Sequence, residues 1–226
     1  MNRTVVDLLR RNEAHAEAFR NRFDDVQEGQ RPAAVTVCCS DSRVLQDHVW
    51  GNDEPGRLFT CGNIGNRVVQ RTDAGDVVSG DVLYPIEYAG TDTVVVVGHT
   101  GCGAVTATYD ALTGELSEPP GIEHCIALLS PGLEPGVDRL PADLDRAAAI
   151  NHLVEYNVDR QVAALVESDA VPADLTVVGV VYDFQDVYGG RRGEVHVINV
   201  GGERSVEALR SAHPDVADRI DRLWAY

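Results

Sequence analysis

The chain has 226 residues, 44% of them hydrophobic, with 36 acidic against 19 basic residues and a formal net charge of -17. That size suits one substantial α/β domain or two small ones with a normal core, and no apolar run approaches the roughly 20 residues of a membrane span. The acidic excess argues against nucleic acid and anionic membranes as partners, because neutralising phosphate needs patches of Lys and Arg.

Every basic residue is Arg, and Lys is absent. A GC-rich genome accounts for Arg over Lys but not for the acidic excess. A carboxylate-rich surface stays soluble in strong salt and repels itself in dilute buffer. The stretch MNRTVVDLLRRNEAHAEAFRNRF carries charges where a signal peptide needs its apolar centre. The expectation is a cytoplasmic protein of a high-salt interior. Five Cys without a secretory signal suggest metal or catalytic thiols rather than a disulfide framework.

In chain order, residues 2–23 show amphipathic helical spacing through Val5, Val6, Leu8, Leu9, Ala16, Phe19 and Phe23. Ala33–Cys39 reads as a short buried strand after Pro32, and Leu58–Thr60 as a weaker one. Residues 75–80 look like loop, and 81–89 like a short helix despite Pro85. Thr93–Gly98, with four valines in a row, is the clearest buried strand. A helix over 104–112 follows its glycine turn. Residues 113–141, rich in Pro and Gly, predict loop with one short helix near 122–129. A long helix spans 144–166 and a strand 175–182. The GGRRG turn then leads to a strand at 194–200, antiparallel to its predecessor. Helical pattern closes the chain over 203–224.

These elements predict an α/β fold. Its central sheet is mostly parallel with one antiparallel edge strand, flanked by helices and preceded by an N-terminal helical arm. The expected layout is a single domain over 1–226, with the arm in 1–30, the core in 31–200 and C-terminal helices in 201–226. Sites in such sheets lie at the carboxyl ends of strands.

Two strand ends carry unusual chemistry. The first runs into CCSDSR, residues 38–43, and the second into His99-Thr100-Gly101-Cys102. Cys39, His99 and Cys102 offer two thiolates and an imidazole, the mixed donor set that zinc prefers. Three donors leave a position for water, which is the catalytic pattern. Asp41 can accept a hydrogen bond from that water while Arg43 forks onto Asp41 and keeps it off the metal. The same residues also allow a closed structural site with Asp41 as fourth ligand. Alternation turns Cys38 to the opposite side of its strand, into the core. Cys61 and Cys125 have no ligand-spaced partner and read as buried apolar groups. His48 reads as a packing or surface residue. A redox pair at Cys38 and Cys39 is opposed by the strain of an adjacent disulfide.

At these residues the sequence resembles the β-class carbonic anhydrases. That family's Cys-x-Asp-x-Arg and His-x-x-Cys motifs are complete as Cys39–Arg43 and His99–Cys102. The likeness extends through IEYA, residues 86–89, and more loosely through VVGVVYDFQDVYGGRRGEVHV. The resemblance implies zinc-dependent, reversible hydration of carbon dioxide to bicarbonate by a zinc-bound hydroxide. Cys39, His99 and Cys102 would be the zinc ligands, with Asp41 and Arg43 the catalytic dyad.

It also implies a pocket wall of Gln30, Phe59, Ile64 and Tyr88, with Gly103 offering an N–H toward product. A homodimer or dimer of dimers would carry this pocket at its interface. Gly62 and Thr36 stand where bicarbonate-inhibited members have Arg and Trp, so the open-zinc subtype is expected. The segment between Tyr88 and Val94 is shorter than the family's by about one helical turn. A carbon disulfide or carbonyl sulfide hydrolase on the same scaffold, or a non-catalytic zinc-binding bicarbonate sensor, are the alternative readings.

Overall fold

The computed structural model describes residues 2–114 and 117–226. Helix α1, Arg3–Phe19, is capped by Asn2, whose Oδ1 accepts the Thr4 N–H at 2.9 Å. A 3₁₀ segment, Arg20–Val26, follows, and neither element contains a buried residue. The arm is therefore amphipathic, yet its apolar side is not buried against the rest of the chain: Leu8 is 60% exposed and Leu9 54%.

Strand β1, Ala34–Cys39, and β2, Leu58–Asn63, pair in parallel. Next come β3, Val69–Thr72, and β4, Gly75–Val78, which form a separate antiparallel ribbon. Helix α2, Gly80–Ala89, leads to β5, Thr93–His99, and α3, Gly103–Thr113. Helices α4, Pro120–Val137, and α5, Arg146–Val166, precede β6, Thr176–Asp183, and β7, Glu194–Val200. Helix α6, Val206–Ala212, and a 3₁₀ segment, Pro214–Arg219, come last.

The main sheet has the order β2-β1-β5-β6-β7. Its first four strands are parallel and β7 is antiparallel to β6. This is the architecture expected from the alternation of apolar runs and helical periods. Helix α5 lies across β5 and β6. Two glycines make that approach possible. An added methyl at Gly98 would stand 2.6 Å from Val158, and one at Gly179 would stand 2.7 Å from it. The glycines interrupt the valine runs of β5 and β6 because α5 needs the space.

Three segments differ from expectation. Residues 75–78 are strand rather than loop, because the Asp73-Ala74 turn folds β4 back on β3 and Arg71 grips Asp76 across the ribbon at 2.7 and 2.9 Å. The Pro- and Gly-rich stretch holds the 18-residue helix α4 instead of a short one. Packing overrides propensity there: Ile126, Leu128, Leu129 and Leu133 are buried, and Gly136 lets the Tyr156 ring approach to within 3 Å of where a side chain would begin. At the carboxyl end, helix stops early. Pro214 breaks the pattern, and residues beyond Ile220 run as an irregular tail held by side chains of α5.

Candidate metal centre

The ends of β1 and β5 are neighbours, with Cys38 opposite Val97, so the two motif turns meet at the carboxyl end of the parallel strands. Cys39 closes β1 and His99 closes β5, while Cys102 opens α3. Gly101 takes a left-handed φ of 61°, which lets the chain double back between His99 and Cys102. Its N–H donates to Asn151 Oδ1 of α5 at 2.8 Å, so the long helix also fixes the turn.

The donor atoms of Cys39, His99 and Cys102 all lie within 4.8 Å of one another, and all three residues are buried. His99 Nδ1 lies 3.1 Å from the Thr100 carbonyl oxygen, a contact that needs the proton on Nδ1. That leaves the Nε2 lone pair toward the cysteines, and Nε2 is a buried polar atom without a hydrogen-bond partner. A hydrogen bond from Cys102 holds the Cys39 thiol well below its usual value, helped by the Gly65 N–H. Cys102 is pushed up in turn, as the donor to Cys39 and by burial. Two soft sulfurs and an orphaned imidazole nitrogen converging in a buried pocket fit a tetrahedral divalent ion such as zinc. A cation there would deprotonate both thiols and satisfy His99 Nε2.

Asp41 stands beside this group, its Oδ2 3.8 Å from His99 Nε2. Arg43 holds it three times: backbone N–H to Oδ1 at 2.9 Å, Nε to Oδ1 at 2.9 Å and Nη2 to Oδ2 at 2.6 Å. These bonds hold the Asp41 carboxyl well below the usual range. Arg43 Nη2 also donates to the Gly101 carbonyl at 3.2 Å, tying the first motif to the second.

The remaining residues named from sequence separate into two groups. Ile64 follows Asn63, the register partner of Cys39, and is 44% exposed at the same end of the sheet. Gly103 is the first residue of α3, directly after Cys102. The others lie toward the amino ends of the strands. Phe59 is four residues before Asn63, about 13 Å back along β2. Its ring is near Tyr84, which in turn contacts Tyr88, a residue 79% exposed. Gln30 precedes β1 and lines an open surface cleft with Asp25, Arg31, Glu54 and Arg57.

Cys38 faces away from Cys39, packed with Val97 and Val180 on the second face of the sheet, and burial pushes its thiol up to about 12. Cys61 is likewise buried and raised to about 12. Cys125, expected to be buried, is partly exposed, its sulfur 3.8 Å from Arg67 Nη2. His48 is exposed in a short 3₁₀ segment, His48–Trp50.

Sequence reading placed the segment after β6 within the looser likeness but gave its residues no role. The Asp183 carboxylate, 1% exposed, accepts from the Thr100 hydroxyl and from the N–H groups of Gln185, Val187 and Tyr188. Phe184 stacks on His99, and Gln185 packs against Gly101. A further signal was position: β6 was predicted, and the carboxyl end of a third parallel strand belongs to the same end of the sheet.

A family model described as carbonic anhydrase matches residues 34–192. The chain is 34% identical over 187 residues to a carbonic anhydrase of Mycolicibacterium smegmatis, covering 76% of this chain and 80% of that protein. It is 28% identical over 222 residues to one from Pseudomonas aeruginosa, covering 95% and 94%. A tetrameric β-carbonic anhydrase structure from Sordaria macrospora superposes with a TM-score of 0.71 at 21% identity, covering 88% of this chain and 98% of that one. The chain therefore belongs to the β class of the carbonic anhydrase family, and is a lyase, a carbonate dehydratase.

Proposed function

We propose that this chain hydrates carbon dioxide reversibly to bicarbonate and a proton, with zinc held by Cys39, His99 and Cys102 and with Asp41 and Arg43 as the catalytic pair. The observation that carries the reading is the cluster of three buried donors beside a carboxylate already gripped by an arginine. Zinc bound there supplies a Lewis acid that makes water acidic enough to lose a proton near neutral pH.

The protein's own groups do the rest. Asp41 accepts a hydrogen bond from the nucleophilic oxygen and turns a lone pair toward the carbon of the substrate. Arg43 keeps that carboxylate ionised and uses both of its oxygens, which holds it back from the metal. Ile64 offers an apolar surface to a substrate without a net dipole, and the Gly103 N–H can meet an oxygen of the product.

In this reading Gln30, Phe59 and Tyr88 complete the pocket of a second copy, since within one chain they lie toward the amino ends of the strands, away from the donor cluster. Two surfaces support such an assembly. Helix α1 presents Val5, Leu8 and Leu9 to solvent, and the second face of the sheet leaves Val95, Val178, Val195 and Val197 only partly buried. The acidic, Lys-free surface fits a salt-rich intracellular solution.

Replacing His99 by Ala or Cys102 by Ser tests the site. Each variant is expected to lose zinc and turnover together, read by metal analysis and stopped-flow hydration on the same sample. A variant that kept both would overturn the assignment.

A further inference from the structure

The Asp41–Arg43 pair has a feature that its own hydrogen bonds do not explain. Arg43 is 49% exposed along its side chain, on a long stem with several rotatable bonds. Its grip on Asp41 is useful only if the guanidinium stays in one place. The edge of the guanidinium is spent on Asp41 and on the Gly101 carbonyl. Its Cζ lies over the Phe184 ring, 4.6 Å from the ring centroid. The same ring stacks on His99, centroids 5.8 Å apart and planes 26° from parallel.

We propose that Phe184 is a positioning residue for the catalytic pair. It is an aromatic platform that holds Arg43 by its face while Arg43 holds Asp41 by its edge. An arginine can use both surfaces at once, because planar stacking leaves its in-plane donors free. The platform is itself fixed. Asp183, the preceding residue, is buried, and its four accepted hydrogen bonds stitch residues 183–188 to Thr100 in the metal turn. Thr100 N–H also donates to the Tyr182 carbonyl at 3.1 Å. Tyr182 flanks the ring from β6, with centroids 6.1 Å apart. One ring thus meets both a charged group and a donor imidazole, which a residue that merely filled space would not need to do. This inference rests on the Asp41–Arg43 reading given above.

The test uses the full chain loaded with zinc and four variants: Phe184→Leu, Phe184→Trp, Arg43→Ala, and Phe184→Leu combined with Arg43→Ala. Phe184→Leu is expected to keep its zinc and lose about tenfold in kcat, the scale of a cation–π contact partly shielded from water. Phe184→Trp should stay within about twofold of the wild type, since indole is the better platform. In the Arg43→Ala background the Leu change should cost nothing more. As a readout other than turnover, hydrogen exchange of the Arg43 Nε–H, followed by nitrogen-15 NMR, should quicken in Phe184→Leu and not in Phe184→Trp.

The proposal is overturned if Phe184→Leu matches wild-type turnover, loses zinc along with turnover, costs as much without Arg43 as with it, or leaves Nε–H exchange unchanged. Should Leu prevent folding, Phe184→Met removes the aromatic face at similar volume and is read the same way. Asp41→Ala separates the two readings. If it kept full turnover the catalytic pair would fall, and the Nε–H exchange would still report whether Phe184 holds Arg43.

Discussion

Gly98 lies directly beneath Val158: a methyl group on the glycine would stand 2.6 Å from a valine methyl carbon. Gly98 immediately precedes His99, so the contact that seats α5 on the sheet also bears on one member of the buried three-donor cluster. Gly98→Ala is expected to destabilise the fold by about 1–3 kcal/mol through overpacking, and to weaken metal retention. Adding Val158→Ala should recover part of both losses, a positive coupling that denaturation and zinc analysis can read. Additive losses would mean that the two residues do not meet as described.

Asp41 and Arg43 carry the second prediction. Asp41→Ala should keep its zinc, because none of the three buried donors is touched, and lose about 10²–10⁴-fold in turnover, the usual worth of a positioned acid–base group. Arg43→Lys should fall between the two, since an ammonium cannot fork onto both carboxylate oxygens. Full turnover in zinc-loaded Asp41→Ala would remove the pair from the mechanism.

A third prediction concerns the irregular tail. Glu155 of α5, fully buried, accepts from the Leu223 and Trp224 N–H groups and from the Tyr188 hydroxyl. Arg222 pairs with Asp159 at 2.7 Å beside it. Burial pushes Glu155 upward, against the hydrogen bonds it receives and the nearby Arg222. The folded value therefore exceeds the unfolded one of about 4.3. The protonated form is favoured by folding, so this group's stabilisation is complete below the unfolded pKa and fades as pH rises through the folded one. Stability of the wild type relative to Glu155→Gln should thus decline from acid toward neutral pH, measured by denaturation at a series of pH values. A difference that grew with pH would contradict the sign.

How much of this was open to reading from sequence divides along physical lines. Cys39, Asp41 and Arg43 sit within five consecutive positions, and His99 and Cys102 within four, so local spacing alone revealed them. The apolar run of β1 and the valine run of β5 announced those strands because buried parallel strands need no polar face. Helix α4 was hidden because Pro131, Gly132, Pro135 and Gly136 argue for loop, and only its fit against Tyr156 and the core reverses that. Asn151, Asp183 and Phe184 are ordinary residue types in distant segments. What gives them meaning is the packing of α5 and the end of β6 against the turn from His99 to Cys102, which no local pattern encodes.

The surface supplies a fourth prediction. With 36 carboxylates against 19 arginines, self-repulsion opposes the compact state in dilute buffer. Melting temperature should rise between low and molar KCl as the repulsion is screened. A melting temperature indifferent to salt would remove the salt-adapted reading and leave the site untouched.

The most direct test of the central claim is to titrate zinc into metal-free protein while following carbon dioxide hydration by stopped flow. Turnover is expected to climb in proportion to added zinc and to level off at one ion per chain, bound by Cys39, His99 and Cys102. Full turnover without the metal, or none once every chain is loaded, would contradict it.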